Sequence, residues 1–90
     1  MREWRKSVRV GAKEAIPTAL AIRGPLGVSE LYEMMLETQP EMCDESIPCE
    51  HNGKRYGDLE WKHQVRWALE DLKRHGEVRR LESIGWEAAR

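Results

Sequence analysis

The chain is poor in the features that mark several large function classes. It has two cysteines, Cys43 and Cys49, in 90 residues, too few for a disulfide-built scaffold. No apolar run approaches the roughly 20 residues that a membrane-spanning helix needs. The charged stretch Met1 to Arg9 is followed by no apolar core of a signal peptide. With nothing pointing to export, the expected setting is reducing and cytoplasmic. No glycine-rich phosphate loop is present. The acids between residues 30 and 50 lack the spacing and the partner lysine of a nuclease cluster. A Cys–His nucleophile could be assembled from Cys43 or Cys49 with His51 or His63, but no orienting third group or oxyanion hole is legible. These absences point to a binding module that is not an enzyme by itself and needs no cofactor.

What remains is one small domain of ordinary soluble composition, with 40% hydrophobic and 34% charged residues. The net charge of −1 hides a polarised distribution. Residues 1–28 carry six Lys/Arg against two acids, residues 29–50 seven acids and no Lys/Arg, and residues 54–80 eight Lys/Arg against five acids. Such segregation suits a partner of one charge sign approached by one face, or an acidic and a basic helix lying side by side.

Hydrophobic periodicity predicts three helices. The first spans about Lys13 to Arg23, with Ala15, Ile16, Ala19, Leu20 and Ile22 as its apolar stripe. Pro17 starts it or kinks it, and Gly24-Pro25 ends it. Residues 1–12 read as an N-terminal extension. Leu26-Gly27-Val28 is at most a minimal strand. Ser29 is the expected cap of a second helix, about Glu30 to Thr38, with Leu31, Met34 and Met35 on one face. Residues 40–57 read as a long connection with turns at Asn52-Gly53 and Gly57. Asp58 is the expected cap of the third helix, about Leu59 to His75, which buries Trp61, Val65, Ala68, Leu69 and Leu72. Glu77 to Leu81 and Ile84 to Glu87 then read as two short strands joined at Glu82-Ser83, with Ile84 and Trp86 inward. Helices followed by a terminal hairpin define an α+β winged helix, a helix-turn-helix variant with a β wing.

In that fold the third helix is the one offered to duplex DNA. Its polar side carries His63, Arg66, Glu70 and Arg74, flanked by Lys62 and Lys73. Arg and Lys donate to guanine O6 and N7 and to phosphates, and the N-terminal half of such a helix reaches bases. Lys62, His63 and Arg66 are therefore favoured. Trp67 falls about 145° from the centre of the apolar stripe on an ideal helix. It is either a contact residue or one that packs on the N-terminal segment, near Trp4, or on a second subunit. Lys54, Arg55 and Tyr56 form a basic-aromatic group before the helix, and Arg79 and Arg80 lie on the wing. Cys43, Cys49 and His51 are weak metal candidates, because their spacing departs from the usual zinc pairs and lacks a fourth ligand, which His63 would have to supply.

The segment Cys43-Asp-Glu-Ser-Ile-Pro-Cys49, the pattern Val65-x-Trp67-Ala68-x3-Leu72-Lys73-x2-Gly76, and Val28-Ser29-Glu30-Leu31-Tyr32 resemble the winged-helix domain at the N-terminus of Mrr-type restriction proteins. The likeness extends to copies attached to HNH-type and other modification-dependent endonucleases, and covers residues 13–87. It implies a DNA-recognition module of a restriction or defence system, working with a nuclease domain or a separate nuclease subunit. It also implies sensitivity to methylated duplex DNA, notably N6-methyladenine, with Trp67, His63 and Lys54 to Tyr56 as the sensing surface. A protein-interaction or dimerising winged helix, including a homodimer, is the alternative.

Overall fold

The computed structural model describes residues 2–51, 53–83 and 85–89, and the backbone alone for Arg2, His51 and Tyr56. Ile84, expected to point inward, lies outside the described residues. The chain forms α1 (Arg2–Arg23), α2 (Val28–Thr38), a 3-10 turn (Pro40–Met42), β1 (Pro48–His51), β2 (Lys54–Leu59), α3 (Glu60–Arg74), β3 (Val78–Leu81) and β4 (Gly85–Ala88). It is an α+β winged helix, with three helices ahead of an antiparallel C-terminal hairpin.

Helix α1 begins eleven residues before the expected Lys13, and residues 2–12 are continuous with it. The reason is the stripe Val8, Ala12, Ile16, Ala19 and Leu20, all buried, with Ala19 and Leu20 three and four residues after Ile16. Burial along this face outweighs the cost of Pro17, which sits inside the helix. The hydrogen bond from Gly24 N–H to the Leu20 carbonyl, 3.0 Å, closes the last turn.

Helix α2 starts two residues earlier than expected, with Gly27 and not Ser29 as its N-cap. The Gly27 N–H donates to Glu30 Oε1 at 3.0 Å, the half of a capping box that the third helical residue supplies, while glycine offers no side-chain acceptor of its own. Leu31, Met34 and Met35 pack into the core.

The expected long connection is in large part a second hairpin. Strands β1 and β2 pair antiparallel, with His51 opposite Lys54 and Glu50 opposite Arg55, and a register irregularity between Pro48 and Glu50. Cys49 is buried while Glu50 is exposed, the alternation of a half-buried strand. The carbonyl of Ile47 accepts from Glu60 N–H at 3.0 Å and fastens this hairpin to α3. Leu59, not Asp58, is the N-cap of α3; Asp58 Oδ1 instead accepts from the Leu59 N–H at 2.8 Å.

The core lies between α1, α2 and α3, with Trp61, Val65, Ala68, Leu69 and Leu72 facing Val8, Ala12, Ile16, Leu31 and Met35. The wing is sealed to it by Trp86, which is buried. Leu26 bridges Trp86 through two backbone hydrogen bonds of 2.9 and 2.8 Å, making residue 26 a one-residue third strand. Gly85 makes this contact possible. Its φ is +124°, and a Cβ there would lie 2.4 Å from the Leu26 carbonyl oxygen and 2.6 Å from Gly27 Cα. Gly85→Ala is therefore expected to cost about 1–3 kcal/mol or more from backbone strain alone, read as a lower urea midpoint with an unchanged slope.

Candidate nucleic-acid interface

At about 100° per residue, the residues of α3 outside the core divide into two flanks and a ridge. One flank carries Glu60, Gln64 and Asp71 and meets α1. Arg5 Nε lies 3.3 Å from Glu60 Oε2, Arg9 Nε donates to Gln64 Oε1 at 3.0 Å, and Lys13 Nζ lies 2.9 Å from Asp71 Oδ2. These contacts advance together along both helices, so α1 and α3 run side by side in the same direction. Gln64 Nε2 donates to Glu60 Oε2 at 2.6 Å, which joins the first two contacts into one network.

The opposite flank faces α2 and the wing. There Arg66 donates to the Tyr32 hydroxyl at 2.9 Å and pairs with Asp58. Val28, Arg66, Leu69, Glu70, Arg80 and Trp86 line a cavity of about 280 Å³ between helix and wing. Burial pushes the Asp58 carboxyl up, but the Leu59 N–H, the Arg66 guanidinium and Lys62 together hold it below the ordinary carboxylate range. A carboxyl with a lowered folded-state pKa adds stability above its unfolded value of about 3.9 and loses it as pH falls through the folded value. The protein is thus expected to lose stability below about pH 4. Asp58→Asn should be less stable at pH 7 and flatter across that window, checked by urea unfolding at pH 7 and pH 3.

Between the flanks stands the ridge of His63, Trp67, Glu70 and Arg74, which with Arg66 lines a shallow cavity of about 270 Å³. Trp67 is 43% exposed. Its indole N–H donates to His63 Nε2, the His63 and Trp67 ring centroids lie 5.9 Å apart, and the Arg9 guanidinium lies 5.5 Å from the indole centroid. Trp67 thus meets α1 at Arg9, while Trp4 packs against the core. The other ring nitrogen of His63, Nδ1, is 3.4 Å from Cys49 Sγ.

The sequence-expected residues fall around this ridge unevenly. Lys62 is half-buried at its N-terminal end, with the ammonium 5.2 Å from the Tyr32 ring centroid and 5.7 Å from that of Trp61. Lys54 and Arg55 are exposed on β2, and the side chain of Tyr56 lies outside the described residues. On the wing, Arg80 is exposed, whereas Arg79 is engaged by Glu87 at 2.5 Å. Among the described residues, Lys54, Arg55, Lys62 and Arg80 form no direct ion pair, though Lys62 acts on Asp58 at longer range, while Arg66 and Arg79 do. Sequence reading missed Arg9. The signal was the spacing of Arg5, Arg9 and Lys13, four residues apart on one helical face.

The acids of residues 29–50 form no ion pair among the described residues, and Glu30, Glu33 and Glu37 are exposed on α2. Both cysteines are buried, and neither is in a disulfide. Burial, with help from Glu45 and Glu41, pushes the Cys43 thiol up to about 11. Burial and the nearby Glu60 likewise push Cys49 up. Cys43 Sγ approaches the Gln39 carbonyl at 3.5 Å and Cys49 approaches His63, so the two thiols serve different contacts. The His51 side chain lies outside the described residues. Among those described, no group of three His, Cys, Asp or Glu is placed to hold a metal ion, and no helix is long and apolar enough to cross a membrane.

Comparison with family models, with curated proteins and with solved structures finds no match to this chain.

Proposed function

We propose that the chain is a duplex-DNA-binding module that lays α3 in the major groove and its wing on the adjacent backbone. The observation that carries this reading is the ridge His63–Trp67–Glu70–Arg74. It is the outward side of a helix whose other sides are committed to the core, α1 and α2, and Arg66, Lys62 and Arg80 stand beside it. A major groove of about 12 Å admits one helix in this way. Lys62, Arg74 and Arg80 serve phosphates, and His63 and Trp67 meet base edges. Arg66 is held by Asp58 and Tyr32 and reaches a base only by exchanging one of these partners.

Within a restriction or defence system, Trp67 with His63 would sense a methyl group on duplex DNA, N6-methyladenine being the modification that the sequence resemblance favours. Cleavage would belong to a nuclease domain or subunit, and the module itself would catalyse no reaction in its cytoplasmic setting. The exposed indole of Trp67 favours a second reading, a winged helix that docks protein, including another copy of itself. Amide chemical-shift mapping with a duplex of about 16 base pairs separates the two. Shifts concentrated at residues 62–74 and 78–81 support the DNA reading. Absence of any shift at low salt, with concentration-dependent broadening at Trp67, supports the protein reading.

A further inference from the structure

Resting on the reading that α3 binds duplex DNA, we infer that α1 supplies a phosphate contact of its own, Arg9, on the flank of α3 opposite the wing. Three cations of α1 face α3 at four-residue spacing. Arg5 is neutralised by the buried Glu60, and Lys13 by Asp71. Arg9, between them, forms no direct ion pair among the described residues, although its charge adds to those of Lys13 and Arg74 in lowering the Asp71 carboxyl. Its Nε is spent on Gln64 Oε1, and the guanidinium lies over the Trp67 ring. That leaves the two terminal amino groups of the fork as its donors, at the edge of the exposed ridge.

The side chain is also fixed in place. Gln64 is only 4% exposed and is anchored through Glu60, so the acceptor that holds Arg9 cannot swing away. An arginine held by its Nε and stacked on an aromatic face has already lost much of the rotamer freedom that a phosphate contact would otherwise cost. Its outer edge offers two parallel N–H donors, the geometry that phosphate oxygens accept best. On the wheel of α3, Trp67 and Gln64 lie on one side of the ridge, and Arg66, which shares its cavity with Arg80, lies on the other. A helix about 10–12 Å across fills the major groove, so the bounding phosphate strands run along its two flanks. Arg80 stands at one flank and Arg9 at the other. The pairing also places a cation over the indole, so Arg9 sets the orientation of Trp67 within the groove.

Each phosphate neutralised on B-form DNA adds about 0.9 to the slope of log affinity against log salt. The wild-type domain, Arg9→Gln and Arg9→Lys are titrated against one labelled duplex between 50 and 200 mM salt, with urea unfolding of each variant alongside. Arg9→Gln is expected to flatten the slope by about 1, weakening binding equally on unrelated duplexes. Arg9→Lys, which keeps the charge, is expected to restore the slope. In the wild type, the Arg9 Nε–Hε resonance is expected to shift when duplex is added, a readout that needs no substitution. An unchanged slope in folded Arg9→Gln, or a stationary resonance in a wild type that binds, overturns the role of Arg9 and leaves the DNA reading standing. A wild type that binds no duplex at low salt overturns both.

Discussion

Trp61→Ala is expected to lower the unfolding free energy by about 3–5 kcal/mol, the range found for removing a large aromatic side chain from a packed core. Trp61 is fully buried at the first turn of α3. Its ring meets Tyr32 of α2 edge-on, with centroids 5.6 Å apart and planes at 77°. Removing it would leave a cavity at the place where α2, α3 and the Arg66–Tyr32 contact meet. For a domain of 90 residues, total stability is roughly 5–13 kcal/mol, so the variant would stand close to unfolding at 37 °C. Chemical denaturation followed by circular dichroism measures the change. Trp67→Ala is the matched control. With 43% of its surface exposed, it should cost about 1 kcal/mol or less, while altering DNA binding under the proposed function. The same residue type six positions apart on one helix thus separates a stability role from a binding role.

The second large effect is on affinity. Replacing Lys62, Arg74 and Arg80 together by alanine is expected to lower affinity for duplex DNA about a hundredfold or more at 0.1 M salt, and to flatten the salt slope by between 2 and 3. None of the three is buried, and Arg74 has only a 3.5 Å contact to Asp71, so stability should change by about 1–2 kcal/mol at most. Anisotropy titrations at two salt concentrations read the affinity, and a thermal melt confirms that the variant is folded. Because the chain is close to neutral overall, these few cations carry a large share of its attraction to phosphate. Under the proposed function, the acids of α2 would work against that attraction and confine DNA to the α3 side.

The sequence made the α3 face legible because two signals agreed there. Trp61, Val65, Ala68, Leu69 and Leu72 repeat at helical spacing, and the polar positions between them are rich in cations. The wing was legible for a similar reason, since turn residues separate two short β-prone runs. The β1–β2 hairpin was not. Its strands are short, β1 begins with a proline, and the one buried side chain among those described, Cys49, carries no hydrophobic alternation strong enough to be recognised. The true start of α1 was hidden by Pro17, which drew attention from the stripe running back through Val8. Asp58 was misassigned because an acid before a helix resembles a cap, whereas here Arg66 eight residues later takes its carboxylate. Propensity sees neighbours in sequence, and that ion pair closes only in the folded chain. The spacing of Arg5, Arg9 and Lys13 is in the sequence, but the place of Arg9 over Trp67 depends on α1 lying beside α3.

The most direct test of the central claim is fluorescence-anisotropy titration of the wild-type domain against matched duplexes, unmodified, N6-methyladenine-containing and 5-methylcytosine-containing, at two salt concentrations. The account predicts binding that weakens steeply with salt and is tightest for the N6-methyladenine duplex. Failure to bind any of the three at low salt would contradict it and make the Trp67 face a protein-docking surface.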